Sequence, residues 1–398
     1  MKKEFTVSPL KRIVEPVERP EPPIPGQEYR QIGVQLWGRG AYEREPLDGG
    51  RTKYKTLSRV EKDDIIVNKI WARNGSVAVV PPGLAGCYAS NEFPTFRPIP
   101  DHLEPGWFHW FTKTSSFWQQ CDEKSRGTSG KNRIRPERFL EILLPLPSLT
   151  EQRRVVSRIE ELSAKIEEAR GLRGKSFQEA DALMNAASTQ AFSQLDNVGV
   201  RIVDEMCEVR GGIQKSIVRT PGANPRRYIT VAHVQRNWID TADPRYFEVS
   251  DAELERWRLL PGDVLVIEGN GSADQIGRAA LFKGEIGDCV HQNHVIRVRP
   301  NSSLLLPEYL NTYFNSPVGR DQMLVRSRTT SGLFNLSVGR INNIEVPLPP
   351  ISAQRRIVAY LDDLQAKVDA LKRLQEDSAA ELGALMPSIL HRAFAGEL

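Results

Sequence analysis

The sequence has few of the residues that cross-link small secreted proteins or hold metal clusters. Its four cysteines, Cys87, Cys121, Cys207 and Cys289, show no C-x-x-C pair and no regular spacing. Neither a disulfide framework nor a zinc knuckle is therefore predicted. No run of about 18 apolar residues occurs, and the N-terminal segment has no apolar core of a signal peptide. We expect a cytoplasmic protein that is neither exported nor membrane-spanning.

Signatures of nucleotide, metal and methyl-transfer chemistry are incomplete. The stretch ARGLRGKS at 169–176 lacks the first glycine of a phosphate loop, and no G-x-G-x-x-G follows a strand. His291 and His294 have no evident third ligand. The nearest string to the Asn/Asp-Pro-Pro-aromatic tetrad of amino-methyl transfer is DPRY, with Arg245 in place of the second proline. We predict no catalytic residue, no metal and no cofactor in this chain.

One nuclease-like pattern remains as an alternative. Asp101, followed by Asp122, Glu123 and Lys124, formally matches a site in which two acidic groups hold Mg²⁺ and a lysine assists. Short patterns of this kind arise by chance, and the second half of the chain does not repeat it. A stand-alone nuclease is thus the less favoured interpretation.

Charge is nearly balanced, at 54 Lys and Arg against 50 Asp and Glu in 398 residues. The formal net charge of +4 permits an acidic partner such as nucleic acid but does not require one. A chain of this length, with 40% hydrophobic residues, is long enough for two or three separate cores.

The strongest feature that is present is an internal repeat. LPLPSLTEQRRVV at 144–156 returns as VPLPPISAQRRIV at 346–358, an offset of 202 residues. At the same offset RGTSG in the first half meets RTTSG in the second, ALM meets ALM, and Asn91 meets Asn293. A long self-similar period predicts a tandem duplication of one two-part unit.

The second part of each unit is predicted to be a long helix. Apolar residues recur after each QRR motif at alternating steps of four and three, as in a coiled-coil seam. The two seams are Val155, Ile159, Leu162, Ile166 and Ala169, and Ile357, Leu361, Leu364, Val368 and Leu371. We expect Thr150 and Ser352 as N-caps and about 40 residues per helix, or about 60 Å. The helices can pair antiparallel, although a single amphipathic helix more commonly packs on its own domain.

The first part of each unit reads as mixed α/β. Strands are predicted in RQIGVQLWG, DDIIVNKI, SVAVV and FPTFRP, and again in RYITVAHV, GDVLVIEG, GRAALF and HVIRVRP. EPGWFHWFTKTSSFW and LPEYLNTYFNS are predicted as helices. The fold class is α+β: two mixed α/β domains joined by two long helices in an antiparallel coiled coil, with pseudo-two-fold symmetry. The boundaries are 1–143, 144–197, 198–345 and 346–398.

Residue types that contact nucleic acid without reacting with it occur in loops of both halves. Cations, hydroxyls and glycine suit phosphate contacts, and Arg and Asn match guanine and adenine edges. The candidate DNA-binding residues are Lys69, Trp71, Arg73, Asn74, Asn91, Arg126, Thr128, Ser129, Lys131, Asn270, Ser272, Asn293, His294, Arg326, Arg328, Thr329, Thr330, Ser331 and Asn335. A simply solvated basic loop is the alternative for any one of them, and recurrence in both halves favours the binding interpretation.

The doubled PLP…QRR-V followed by a long helix resembles the specificity subunit of type I restriction-modification systems. The resemblance covers essentially the whole chain and includes the GD-L, QNH-IR and SG…NLS motifs of the second half. The first half departs from it, with SNEF in place of QNH and SGKNRI in place of SG…NLS. The resemblance therefore gives no detailed loop geometry for the first half.

The resemblance implies a division of labour. Each domain would read one half of a split double-stranded DNA target as a target recognition domain, and the helices would hold the halves a fixed distance apart. Two modification subunits would supply S-adenosylmethionine and adenine methyl transfer, and restriction subunits would bring ATP and Mg²⁺. The residues expected to contact a partner are Gln152, Arg153, Arg154, Gln354, Arg355 and Arg356. A DNA-binding protein without methyltransferase partners is the other alternative.

Overall fold

The structure is a computed structural model that describes residues 5–125, 132–195, 198–270, 275–327 and 334–398. The chain forms two compact units. Unit 1 is Met1–Arg173 with Gln375–Leu398, and unit 2 is Gly174–Leu374. Each unit therefore contains one recognition part, the first portion of one long helix and the last portion of the other.

Two helices are far longer than the rest. The helices of the described residues are α1 Pro105–Phe111, α2 Ser115–Lys124, α3 Pro136–Phe139, α4 Leu149–Ser193, α5 Asp251–Trp257, α6 Pro307–Asn315, α7 Pro317–Ser327, α8 Val338–Asn342 and α9 Ile351–Phe394. None of these helices is apolar over a length that would cross a bilayer.

The strands are short, and most precede α4 or lie between α4 and α9. They are β1 Val7–Pro9, β2 Val14–Val17, β3 Pro20–Glu21, β4 Glu28–Val34, β5 Ala41–Asp48, β6 Leu57–Arg59, β7 Ile65–Val67, β8 Val77–Val79, β9 Tyr88–Ala89, β10 Thr95–Pro98, β11 Leu143–Pro145, β12 Val200–Ile202, β13 Cys207–Gly211, β14 Pro225–Ile229, β15 Tyr246–Glu248, β16 Val264–Ile267, β17 Gly269–Asn270, β18 Ala279–Leu281, β19 Val290–His291, β20 Val295–Pro300, β21 Phe334–Asn335 and β22 Glu345–Pro347. The predicted strands are confirmed in both halves.

The two units are built on the same sheet plan. In unit 1 the four-stranded sheet has the order β2-β10-β7-β8, and in unit 2 the order is β13-β20-β16-β18. β1 pairs with β11 as β12 pairs with β22. β4 pairs antiparallel with β5 and parallel with β9, as β14 does with β15 and β19. The duplication predicted from the sequence is therefore a duplication of topology.

In each unit the core lies where a sheet, the helix after it and both long helices meet. In unit 1 Trp107 and Phe111 of α1 pack against Phe394, near the end of α9, at ring distances of 4.5 and 5.2 Å. In unit 2 Tyr309 and Tyr313 of α6 pack against Phe192, near the end of α4, at 5.5 and 5.1 Å. Burial of such aromatic groups is the main stabilising term of each core.

The long helices pack against each other inside each unit. In unit 1 Arg154 donates to the backbone oxygen of Leu398, and Arg173 donates to that of Gln375. The contacts thus advance along α4 as they retreat along α9, which is the antiparallel arrangement. In unit 2 Lys372 donates to Asp181. Most of the predicted seam is buried or half-buried, the exception being Leu371, which is 40% exposed.

Two local predictions were wrong. The helices begin at Leu149 and Ile351, ahead of the predicted caps, and the Ser148 hydroxyl accepts from the Glu151 N–H at 3.4 Å. The single helix predicted over EPGWFHWFTKTSSFW is two helices, because the Thr114 hydroxyl caps α2 by accepting from the Phe117 N–H at 3.2 Å.

Candidate nucleic-acid interface

In unit 1, three segments meet where strand β7 ends. The Lys69 N–H donates to the Glu92 carbonyl at 3.1 Å, and the Lys69 carbonyl accepts from the Ile134 N–H at 2.9 Å. These backbone bonds bring together the turn before β10 and the segment before α3. We call the group formed by Lys69, Asn91, Glu92 and Arg133 strand-end site 1. It unites two predicted residues, Lys69 and Asn91, with two that the sequence did not single out.

Strand-end site 1 is organised around the Glu92 carboxylate. Arg133 donates to its Oε1 at 3.2 Å, and the Lys69 ammonium lies 4.0 Å from the same oxygen. The other oxygen, Oε2, is buried and has no hydrogen-bond partner within the described part of the chain. Asn91 is exposed beside it, at the edge of a cleft of about 450 Å³. The site therefore offers cations and an amide at the surface over a fixed acidic group.

The turn after Lys69 holds three more predicted residues of the first half, Trp71, Arg73 and Asn74. A 3-10 turn, Ala72–Asn74, ends at Gly75 with φ 73°, where a Cβ would lie 2.6 Å from the indole nitrogen of Trp118. Trp71 is 45% exposed, and the Arg73 guanidinium lies 6.0 Å from its ring centroid. Arg73 and Asn74 thus lie in an open groove that Trp118 also lines.

Sequence reasoning missed three side chains around this turn. Trp37 has φ 60°, is 48% exposed and donates its backbone N–H to the Asn74 carbonyl at 2.6 Å. Its ring meets that of Trp118 at 5.5 Å, and Gln119 lines the groove beside Trp118. The available signal was the string LWGRG, since tryptophan among glycines in a polar turn is typical of an exposed contact residue.

Unit 2 builds the same assembly from different side chains. The Glu268 N–H donates to the His294 carbonyl at 3.0 Å, and the Glu268 carbonyl accepts from the Leu336 N–H. We call Glu268, Asn293, His294 and Asn335 strand-end site 2. The His294 Nδ1 lies 2.9 Å from the Glu268 carboxylate, and the Asn293 amide lies 3.4 Å from the other ring nitrogen. Three of these four residues were predicted.

The acid and its partner exchange places between the two sites. In unit 1 the acid, Glu92, precedes β10, and its lysine partner follows β7. In unit 2 the acid, Glu268, follows β16, and its imidazole partner precedes β20. The corresponding backbone bonds are the same in both units. The same scaffold therefore carries the acid at one strand end in unit 1 and at the other strand end in unit 2.

Two predicted residues of unit 2, Arg326 and Asn335, have hydrogen-bond partners inside the fold. The Arg326 guanidinium donates to the Asn343 carbonyl at 3.1 Å, at the end of α8, and is therefore half-buried on its own unit. The Asn335 carbonyl accepts from Arg340, which fixes the backbone of strand β21. The Asn335 side chain is half-buried at strand-end site 2.

Several predicted DNA-binding residues lie outside the described residues. Only the backbone is described for Asn270, which pairs with Phe334 in the β17–β21 ladder. The residues outside are Arg126, Thr128, Ser129, Lys131, Ser272, Arg328, Thr329, Thr330 and Ser331.

The structure corrects the expectation for the two glutamines of the QRR motifs. Gln152 and Gln354 are fully buried, and each makes three hydrogen bonds to backbone groups of its own unit. The polar groups of both side chains are therefore hydrogen-bonded inside the fold and are not available to a partner.

The four arginines of the same motifs are at the surface, with different surroundings. Arg153 donates to Glu104 at 2.9 Å, and Arg154 donates to Glu151 at 2.9 Å. Arg355 and Arg356 are exposed, and no ion pair is found for either among the described residues. The sequence explains the difference, because Leu306 and Ala353 occupy the positions of the two glutamates at the offset of 202.

Two residues of the nuclease and metal patterns, Lys124 and His291, have partners inside the fold. Lys124 donates to Glu141 at 3.0 Å. His291 is fully buried, its Nδ1 lies 2.7 Å from the Val295 carbonyl, and burial lowers its pKa to about 4. In the portion of the chain that the structure describes, no cluster of three His, Cys, Asp or Glu side chains could hold a metal ion.

The two halves of the chain match one family model separately. The type I restriction modification DNA specificity domain aligns with residues 27–172 and again with residues 201–378. The two matches contain strand-end sites 1 and 2, respectively.

Curated relatives are similar over most of the chain. It is 28% identical over 307 residues to the type I restriction enzyme EcoKI specificity subunit of Escherichia coli K12, covering 74% of this chain. It is 27% identical over 316 residues to the StySPI specificity subunit of Salmonella potsdam, also covering 74% of this chain. The matched regions span 65% and 66% of the lengths of those two relatives.

Solved structures share the fold at low identity. A chain from a study of complex assembly and conformational transition of the type I R-M system aligns over 100% of both chains, with a TM-score of 0.75 and 22% identity. The HsdS subunit from Thermoanaerobacter tengcongensis aligns over 99% of this chain and 97% of its own, with a TM-score of 0.66 and 24% identity. With the family model matched in both halves, the chain belongs to the type I restriction modification DNA specificity domain family.

Proposed function

We propose that the chain is the sequence-reading subunit of a type I restriction-modification complex, in which each unit reads one half of a split double-stranded DNA target. The observation that carries this is the pair of strand-end sites. Each is held by the same backbone bonds, yet they present different side chains. A repeated scaffold with divergent surface groups is what two readers of two different half-sites require.

The chemistry of the two sites supports contact with base edges and phosphates. Asn91 and Asn293 are amides at corresponding positions, and an amide can bond adenine in the major groove with two hydrogen bonds. Lys69 and Arg133 supply cations for phosphates in unit 1. In the described residues of unit 2 the strand-end site has an imidazole instead, so the two half-sites should differ in sequence.

The partners follow from the same proposal. Two modification subunits would bind S-adenosylmethionine and transfer the methyl group to adenine, and restriction subunits would use ATP and Mg²⁺. This chain would contribute no catalytic residue and no cofactor. Exposed Arg355 and Arg356 are the cations of the QRR motifs best placed to contact a partner, because Arg153 and Arg154 already meet glutamates.

Methylome sequencing tests the proposal directly. The chain is expressed with modification subunits in a host that lacks other methyltransferases, and methylated adenines are mapped. We expect one bipartite motif with a fixed gap. Replacing residues 1–142 by the corresponding region of another family member should change one half of the motif only.

Two results would contradict the proposal. A change in both halves would argue against separate readers. Methyl transfer from labelled S-adenosylmethionine by the chain alone, or Mg²⁺-dependent cutting by it, would mean that the chain carries chemistry of its own.

A further inference from the structure

We propose that Gln152 and Gln354 are positioning residues that fix the direction in which each long helix leaves the recognition part of its unit. Through that direction they would set the gap between the two half-sites. The inference rests on the proposed function, since it concerns how the gap is held.

The two glutamines make the same three bonds in both units. The Gln152 Oε1 accepts from the Glu104 N–H, and its Nε2 donates to the carbonyls of His102 and Pro147, all at 2.9 Å. Gln354 does the same with Leu306, Leu304 and Pro349, again at 2.9 Å in every case. All six partners are backbone groups, so the clamp does not depend on which side chains a unit carries.

The bonds join two elements that otherwise meet through apolar contacts and, in unit 1, through the exposed Arg153–Glu104 ion pair. His102 and Glu104 lie in the turn ahead of α1, Pro147 lies in the turn into α4, and Gln152 sits in the first turns of α4. One side chain thus bonds the start of the helix to the recognition part at two points and to the turn that leads into the helix at a third. Hydrogen bonds have directional geometry, whereas apolar packing permits small rotations.

The amide is the side chain that this clamp requires. It supplies one acceptor and two donors in a fully buried place, where an unmade bond is costly. A carboxylate accepts but cannot donate, a methionine of similar length does neither, and asparagine is one methylene shorter.

Because the helices are long, a small rotation at one end of a helix gives a large displacement of its other end. α4 has 45 residues and α9 has 44. At 1.5 Å per residue, a helix of this length spans about 66 Å, so a tilt of about 5° moves its far end by about 6 Å. That displacement is close to two base pairs at about 3.4 Å each. Because this displacement is across the helix axis, a loosened clamp would let each reader shift on the DNA and accept gaps that a fixed helix rejects.

Loss of the clamp should leave the helix attached. Val155 and Ile159, in the turns that follow, are buried in the unit 1 core, and Ile357 and Leu361 contact the unit 2 core in the same way. Gln152→Met and Gln354→Met therefore remove the bonds and keep the apolar packing.

The chain also offers matched controls. Gln120 bonds both the N–H and the carbonyl of Leu143, at 2.8 and 2.9 Å, and Gln322 bonds those of Glu345, at 3.1 and 2.9 Å. These glutamines tie a recognition-part helix to a recognition-part strand, Gln322 also donates to the Tyr313 hydroxyl, and none of these hydrogen bonds goes to α4 or α9. Gln120→Met and Gln322→Met therefore lose backbone bonds of the same kind without releasing a long helix.

The test measures gap discrimination. The full chain, assembled with its modification subunits, is bound to duplexes with the natural gap and with gaps one or two base pairs longer or shorter. We expect the affinity ratio between natural and altered gaps to fall at least fivefold in Gln152→Met and Gln354→Met, with half-site selectivity unchanged. The control variants should keep the wild-type ratio.

An unchanged ratio in a variant that still binds the natural duplex would overturn the inference, as would an equal fall in the controls. If a methionine variant does not fold, Gln152→Asn and Gln354→Asn, which keep a neutral amide that is one methylene too short to reach all three partners, decide the same question. Failure of the wild type to bind any duplex sequence-specifically would instead contradict the proposed function.

Discussion

Units 1 and 2 agree in their internal hydrogen bonds and differ at their strand-end sites. Trp107 donates to the Pro145 carbonyl at 2.9 Å, and Tyr309, at the corresponding position, donates to the Pro347 carbonyl at 3.0 Å. Two different side chains thus make one contact. By contrast, strand-end sites 1 and 2 share a backbone but place the acid on opposite sides. The frame has been kept while the exposed chemistry has changed.

The two units also share a buried aspartate, but its arginine partner comes from a different element in each unit. Asp64 and Asp263 open corresponding strands, and each accepts from a backbone N–H three residues earlier, at 2.8 and 2.7 Å. Asp64 pairs with Arg19 at 2.6 Å, whereas Asp263 pairs with Arg299 of β20, also at 2.6 Å. The position of the acid is thus fixed by the turn, and the cation comes from whichever element can reach it.

Removing this aspartate should have the largest effect on stability and should show whether the two units unfold separately. Asp263→Ala leaves a half-buried guanidinium and a backbone N–H without their partner. It should therefore destabilise unit 2 by about 3 kcal/mol. Asp64→Ala should cost unit 1 a similar amount. Urea unfolding, followed by hydrogen exchange of each unit, measures both.

In each case the loss should be confined to the unit that carries the substitution. An equal loss in both units from either substitution would show that they do not unfold separately.

Exchanging the acid and the lysine of strand-end site 1 should remove the difference between the two sites in where the acid lies. Lys69→Glu with Glu92→Lys gives unit 1 an acid after β7, as unit 2 has. Binding to duplexes with the natural first half-site should weaken at least tenfold, or about 1.4 kcal/mol. Selectivity for the second half-site should persist, because site 2 is untouched.

The control for this change is the reciprocal pair in unit 2, Glu268→Lys with His294→Glu. It should impair the second half-site alone. Competition binding with duplexes altered in one half at a time measures both outcomes, and equal weakening at both halves by either pair would contradict separate reading.

The half-buried His109 provides the most local of the expected effects. Burial, followed by the nearby Lys113 charge, lowers the pKa of His109 to about 4, and Asn311 holds the corresponding place in unit 2. Below about pH 6.5 the unfolded chain binds a proton that the folded chain excludes, so folding stability falls as the pH drops towards 4. His109→Asn should remove about 1–2 kcal/mol of that loss between pH 7 and pH 4.5. Denaturant midpoints at the two pH values report it, and an unchanged difference would rule out His109 as its source.

Much of the fold was predictable because the residues that form the repeated strands and helices are themselves repeated in the sequence. The PLP…QRR motif marks the point where a strand ends and a long helix begins, and the four-three spacing of Val155 and Ile159 marks its buried face. Six of the eight strands in the four-stranded sheets were equally visible as short apolar runs, whereas β2 and β13 were not predicted. Such patterns depend on local periodicity, which survives without knowledge of distant contacts.

The sites were predictable in part only. Asn91 and Asn293 were found through the offset, whereas Glu92 and Arg133 were missed because their significance comes from contacts across loops. The glutamines show the opposite error, since a polar residue beside two arginines was expected to be exposed. Its burial is explained by backbone partners about 50 residues earlier, which no local pattern reveals.

The central claim is that long helices of fixed length hold two separate readers at a fixed gap. Four residues inserted after Leu162 and four after Leu364, at corresponding places in α4 and α9, lengthen both helices by about 6 Å and roughly keep the seam. Methylome sequencing of this variant, assembled with modification subunits, should return both half-sites unchanged and a gap longer by about two base pairs. An active complex whose gap is unaltered would contradict the claim.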